Sequence, residues 1–333
     1  MLLLDVDDTI QLIKKISLPN IFSELCNEIY QDYMNWDDFD KMPRVVNHFE
    51  NGVIELMPIS NNKNYTFKYV NGHPINTKYN LPTIMALGLM ADVTTGIPLV
   101  ISELTIVTAL RTAVTSAMVA QLVAPVNSKS MAIIGNGAQS EFQALAFYYL
   151  MGITKFKLYD IDINATYKLV NNLSKYKDIE IIVCSNTREA CSDVDIITTI
   201  TADKTNAIII DETMIKYGQH INAVGGDCPG KTELSKKILE MSTVFVEYKP
   251  QTMIEGEIQQ MPKDFIVTEL YNIVRNKYIR KEEEITVFDS VGFALEDFSG
   301  LNYFYKMSQK YNIGKEIKLI PTQENPKDLF ILL

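Results

Sequence analysis

The stretch 131–142, Met-Ala-Ile-Ile-Gly-Asn-Gly-Ala-Gln-Ser-Glu-Phe, has the residue types and spacing to cradle a pyrophosphate. An apolar run ends in Gly135-Asn136-Gly137 and turns into a helical pattern. The first glycine permits a tight turn, and the second lets backbone N–H groups approach the anion. The helix N-terminus that follows adds partial positive charge. Ser140 stands where the dinucleotide fingerprint has a third Gly or Ala, and it is small enough for close helix–strand packing. The next short strand closes at Asp160, where a carboxylate can hydrogen-bond adenosine ribose hydroxyls. Asp160-Ile161-Asp162-Ile163-Asn164 holds no Arg or Lys for a 2′-phosphate, so the cofactor expected is NAD rather than NADP. A plain structural turn and a solvated strand-end acid are the alternatives.

A second group is 223–233, Ala-Val-Gly-Gly-Asp-Cys-Pro-Gly-Lys-Thr-Glu, which begins where a parallel strand is expected to end. Such sheets bind ligands at that edge. Gly225 and Gly226 let the backbone approach a flat ring, and Pro229-Gly230 holds Asp227 in a tight turn. Asp227 can there bind a substrate cation or act as a general acid/base; an Asx-type turn is the plainer alternative. A third group is cationic. Arg44, Lys68 and Arg111 each stand among apolar or small neighbours. A semi-buried cation needs an anionic partner. A substrate carboxylate fits, since Arg grips one bidentately. The alternative is internal pairing with Glu55, Glu103 or Asp92. Cys228 has no His at a pairing spacing and reads as packing, and the acidic run 282–284 as a solvated face.

The chain of 333 residues is long enough for two cores, and 47% hydrophobic with 22% charged residues is ordinary for a globular protein. A net charge of −10 without a Lys/Arg cluster argues against nucleic acid as a partner. Cys26, Cys184, Cys191 and Cys228 show no disulfide or zinc spacing, and three His form no paired motif, so thiols in a cytoplasmic protein are expected and a metal site is not. The acidic start (Asp5, Asp7, Asp8) is unlike a signal peptide, and charges interrupt the apolar stretches, so no membrane partner is expected.

Elements must carry these groups together. A strand at 2–6, a helix capped by Asp7 or Asp8 and reaching Leu18, and a helix at 21–34 open the chain. Alternating strands follow at 53–57, 65–70, 83–92 and 97–102. The segment 81–90 is apolar on both faces in places, which suggests burial at a subunit interface. Ser102 is expected to cap a helix at 103–123, stopped by Pro125. Strands at 131–134, Lys155–Tyr159, Glu180–Val183, Ile196–Thr199, 220–224, Thr243–Val246 and 285–289 alternate with helices, which predicts a doubly wound parallel sheet. The last helix is expected at 302–311. The tail 317–333, apolar at its end, is expected to fold back on the N-terminal domain.

Several segments together resemble the ornithine cyclodeaminase/mu-crystallin family. They are Gly-Asn-Gly-Ala-Gln-Ser-Glu-Phe at 135–142, Gly-Gly-Asp-Cys-Pro-Gly-Lys-Thr-Glu at 225–233, Met-Pro-Arg at 42–44, Phe-Lys at 67–68 and Ala-Leu-Arg-Thr-Ala at 109–113. The likeness covers nearly the whole chain. It implies an α/β fold: a Rossmann-type NAD-binding domain at 124–311, plus an α+β substrate-binding and dimerisation domain from 1–123 with the tail 312–333. It implies homodimers and tightly held NAD. By the same resemblance Arg44, Lys68 and Arg111 bind the substrate carboxylate, Glu55 orients one of them, and Asp227 meets a side-chain amine. Asp160 holds the ribose, and Gly135, Asn136, Gly137, Ala138 and Gln139 line the phosphates. Thr199, Thr201, Val224 and Ser290 face the nicotinamide side. The acidic loop at 227–233 points to the branch that converts L-ornithine to L-proline and ammonia. The alternatives are an NAD(P)-linked ketimine reductase or amino-acid dehydrogenase of the family, and a non-enzymic crystallin-like binding protein.

Overall fold

A computed structural model describes residues 1–202 and 207–333. The first sheet takes β1 (Leu2–Leu4), β2 (Asp40–Lys41), β3 (Val45–Phe49), β4 (Gly52–Ser60), β5 (Asn64–Gly72), β6 (Ala86–Asp92) and β7 (Pro98–Glu103). The second takes β8 (Ser130–Ile134), β9 (Lys155–Tyr159), β10 (Glu180–Val183), β11 (Ile196–Thr199), β12 (His220–Ala223), β13 (Thr243–Val246), β14 (Thr268–Glu269) and β15 (Thr286–Asp289). A last strand, β16 (Lys315–Glu316), returns to the first sheet.

The two sheets follow from two residue patterns. In β4 and β5 side chains alternate between faces, and antiparallel register sets Glu55 opposite Val70 and Met57 opposite Lys68 on the inner face. Leu56, Tyr69 and Leu87 fall in one cross-strand row on the outer face. The strands β8, β11, β12 and β15 are buried almost throughout, polar residues such as Thr198, His220 and Asn222 included, because helices cover both sides of the sheet. Its order is β10-β9-β8-β11-β12-β15-β13-β14, with every pairing parallel. The order reverses between β8 and β11, the point where a doubly wound sheet opens a ligand crevice.

Two helices join the sheets. Thr105–Val123 is apolar around most of its circumference because most of it is buried; length and composition alone would let it cross a membrane. Ala294–Tyr311 lies under the first sheet, against β4, β5 and the helices Leu18–Met34 and Thr105–Val123.

Several boundaries differ from those expected. The first helix, Val6–Ile16, is capped by Asp5, with Asp8 answering as the second half of a capping box. Ser102 does not cap the long helix, whose N-cap is Leu104. β6 starts only at Ala86 because the Asn71 side chain takes the Met85 N–H. The last helix starts at Ala294, well before 302, and its added turns are buried and carry Glu296 and Asp297. The tail pairs with β1, and Ile317 N–H donates to Met1 O at 2.9 Å. Its end does not fold back, however: Leu329, Phe330 and Leu333 stay exposed, since a two-residue strand is the only ladder carrying this segment among the described residues. Glu284, expected in solvent, accepts hydrogen bonds from Tyr278 and Thr243.

Candidate active site

The glycine turn follows β8. Gly135 has φ +94°, and a Cβ there would stand 2.8 Å from Ile200 O, so only glycine fits between β8 and the end of β11. A Cβ on Gly137 would meet nothing within 4 Å, which leaves open space above the turn. The helix Ser140–Met151 begins there with no side-chain cap among the described residues, and Ser140 Oγ donates back to Gly137 O at 2.7 Å. Asp160, at the end of β9, accepts the Asn136 and Asp162 N–H groups and so locks the turn against the neighbouring strand. Asn136 Oδ1 is buried without a hydrogen-bond partner among the described residues. An open glycine turn, an uncapped helix start, an orphaned amide oxygen and a strand-end acid together fit a dinucleotide pyrophosphate and ribose. Gln139 sends its amide to Ala109 O at 3.0 Å, tying this turn to the helix that carries Arg111. Lys168 donates to Gly137 O, a contact the sequence did not announce.

The other named cofactor-side residues gather at the carboxyl ends of adjacent strands. Thr199 closes β11, and its carbonyl accepts the Val224 and Gly225 N–H groups. Thr201 N–H donates to Glu233 Oε1 at 2.9 Å. Ser290 follows β15, and its hydroxyl turns to the buried Glu247 at 2.7 Å. Ala138 lies in the glycine turn beside Gln139.

Arg44, Lys68 and Arg111 are buried in one charged cluster, and each is engaged by acids of the chain itself. Arg44 pairs with Glu55 at 2.9 Å and with Glu255 at 3.1 Å, and its Nη2 donates to the Val291 and Gly292 carbonyls at 2.6 Å. Lys68 meets Asp297 at 2.7 Å. Arg111 meets Glu296 at 2.8 Å and Asp297 at 2.9 Å. Of the internal partners the sequence offered, only Glu55 is used. Glu103 instead accepts the Ile106 N–H at the start of the Thr105–Val123 helix, and Asp92 closes a turn with Thr95. The acids Glu255, Glu296 and Asp297 escaped the sequence reading. The signal for the last two was there: two carboxylates set between Phe293-Ala-Leu and Phe298 are as isolated in apolar surroundings as the cations were.

The cluster holds more acid than base. Burial opposes the charge on Arg44, but Glu55, Glu255 and Asp227 outweigh it and raise its pKa. Burial likewise opposes Asp297, yet Arg111 and Lys68 hold it below its usual range. Lys68 is pushed down to about 8 by burial, against the pull of Asp297. Glu255 is pushed up to about 7, again by burial. Asp227 is the acid with most access to solvent, 46% exposed at its side chain, and Lys231 Nζ stands 3.3 Å away. Lys231, itself buried, also donates to Thr201 O at 2.9 Å, so it ties the acidic loop to the end of β11.

A doubly wound parallel sheet with a glycine turn at its switch point, beside a buried cluster of mixed charge, defines a dinucleotide-binding protein of the α/β class. The chain matches the model of the ornithine cyclodeaminase/mu-crystallin family over residues 6–311, and it belongs to that family. It is 48% identical over 330 residues to an ornithine cyclodeaminase of Brucella suis biovar 1, covering 98% of this chain and 92% of the relative. Among solved structures, an archaeal alanine dehydrogenase dimer with bound NAD superposes with a TM-score of 0.87 at 30% identity, covering 96% of this chain and 99% of that one. A lysine cyclodeaminase, solved to explain recognition of L-lysine, L-ornithine and L-2,4-diaminobutyric acid, shares the fold with a TM-score of 0.93 at 23% identity, covering 100% of this chain and 99% of that one.

Proposed function

We propose that the protein converts L-ornithine to L-proline and ammonia with NAD as its cofactor. The observation that carries this reading is the coexistence of both signs of charge in one cluster beside the dinucleotide crevice: three cations for a carboxylate, and surplus acids for a second amine. The 48% identity to an ornithine cyclodeaminase across nearly the whole chain supports it.

NAD, when bound, takes a hydride from the amino acid and gives one back, so no net oxidation results. Gly135 to Gln139 and Asp160 would hold its phosphates and ribose, with Thr199, Thr201, Val224 and Ser290 toward the ring. The chain's own groups do the rest. Arg44, Lys68 and Arg111 would take the substrate carboxylate. Among the described residues Arg111 Nη2 is the donor its acids leave over, while Glu55 fixes Arg44. Internal acids hold the cations in place before substrate arrives, so orientation costs little at binding. Asp227 would accept the proton that the side-chain ammonium must lose before it attacks its own α-carbon. Holding both groups in one molecule makes ring closure fast.

The reading extends to the molecule. Residues 1–123 with the tail form the substrate-binding domain and 124–311 the NAD-binding domain. The protein works as a cytoplasmic homodimer, paired through the outer face of the first sheet, where Val45, Leu56 and Leu87 are exposed. The experiment is incubation with ornithine and NAD. Ammonia and proline should appear at constant NADH absorbance. Net NADH consumption with a keto acid or cyclic imine would favour a reductase or dehydrogenase instead.

A further inference from the structure

The pairing around Arg44 leaves one acid over. Arg44 Nη1 donates to Glu55 Oε2 at 2.9 Å, and Asp227 is offset by Lys231. Among the described residues Glu255 has no cation of its own and shares Arg44 with Glu55. It lies 3.1 Å from Arg44 Nε, but neither Arg44 Nε nor Glu255 Oε2 is in a hydrogen bond among the described residues, and both atoms are buried. The Glu255 side chain is 3% exposed and ends the helix Lys249–Glu255, where the helix dipole disfavours an anion. Gln251, one turn earlier on the same face, accepts the Arg44 N–H and donates to Gly292 O, so this helix is fixed against the cation cluster. The charged groups that face Glu255 are Arg44, Glu55 and Asp227, one cation against two further acids. A buried carboxylate in that company needs a proton or another cation.

Resting on the diamino-acid reading above, we propose that Glu255 is a second acid of the amine subsite, which helps hold the substrate's side-chain ammonium while Asp227 takes its proton. In the step, the N–H bond of the ammonium breaks and an O–H bond forms on the Asp227 carboxylate, with Glu255 supplying the second negative charge that holds the ammonium; the nitrogen keeps its electron pair as the free amine. No carbon bond changes and nothing is oxidised.

The test compares L-ornithine with L-norvaline, which has the same carbon chain and α-amino acid end but no side-chain amine, on NAD-loaded enzyme. Glu255→Gln should raise the KM for ornithine by about tenfold or more, the scale for losing a charged hydrogen-bond partner. It should raise the inhibition constant of norvaline far less, since Glu55 still holds Arg44. Parallel weakening of both ligands would overturn the proposal, since Glu255 would then act only through Arg44; so would an unchanged ornithine KM. If Glu255→Gln fails to fold, Glu255→Asp, which keeps the charge but withdraws it, is read in the same way. It should weaken ornithine more than norvaline, and equal weakening overturns the role. A wild-type protein that releases no ammonia from any diamino acid overturns the functional reading itself, whatever the variants do.

Discussion

Asp227 and Arg111 occupy opposite situations: one is half in solvent, the other buried among acids. Asp227→Asn keeps the shape of the loop but removes the proton acceptor, so turnover should fall about 10²-fold or more with NAD affinity unchanged. Steady-state kinetics and cofactor titration check this, and near-normal turnover removes Asp227 from the mechanism. Arg111→Ala strips the cation from Glu296, leaving it Tyr33, and one of two cations from Asp297, both buried. Such a loss costs roughly 3–5 kcal/mol of stability. The KM for ornithine should also rise strongly. Denaturant unfolding and kinetics separate the two effects: a lower stability with an unchanged KM would make Arg111 purely structural. At this scale the cations were legible because each stands alone among apolar neighbours. Of their partners only Glu55 was read, because Glu296 and Asp297 come from a helix whose first turns read as loop, and burial, not spacing, selects Glu255.

Seven of the eight strands described in the second sheet, all but β14, were legible almost to the residue, since short runs holding Ile, Val or Phe between helical segments have few other uses. The helix starts were not, because several polar residues compete for each cap and only the folded backbone decides. Gly135 shows what the glycine turn demands. With φ +94° and Ile200 O in the way, Gly135→Ala should lower stability by about 1–3 kcal/mol and weaken NAD binding, measured by unfolding and by titration. His220 in β12 gives a pH signature. Its ring sits between Thr286 Oγ1 at 2.9 Å and Asn222 Oδ1 at 3.1 Å, and burial pushes its pKa down to about 3. The unfolded chain therefore binds a proton below the usual value near 6.5 that the folded chain refuses. Stability from this residue is complete above that pH and is lost as pH falls toward 3, by up to about 5 kcal/mol. His220→Gln should flatten the dependence of Tm on pH over that window. An unaltered slope would assign the acid sensitivity to other groups.

The whole molecule presents an apolar outer face on its first sheet, with Val45, Leu56, Tyr69 and Leu87 in one cross-strand row, opposite the face that carries Glu55 and Lys68. A dimer through this row would brace the strands that hold the substrate cations. Light scattering should give twice the chain mass for the native protein and the single mass for Leu56→Glu with Leu87→Glu; an unchanged dimer would place the interface elsewhere. The central claim concerns where one hydrogen goes. Ornithine deuterated at Cα, incubated with the enzyme and NAD, should yield proline that keeps its deuterium at that carbon, with one ammonia per turnover and no accumulated NADH. Loss of the label from proline, or NADH formed in step with product, would contradict the account.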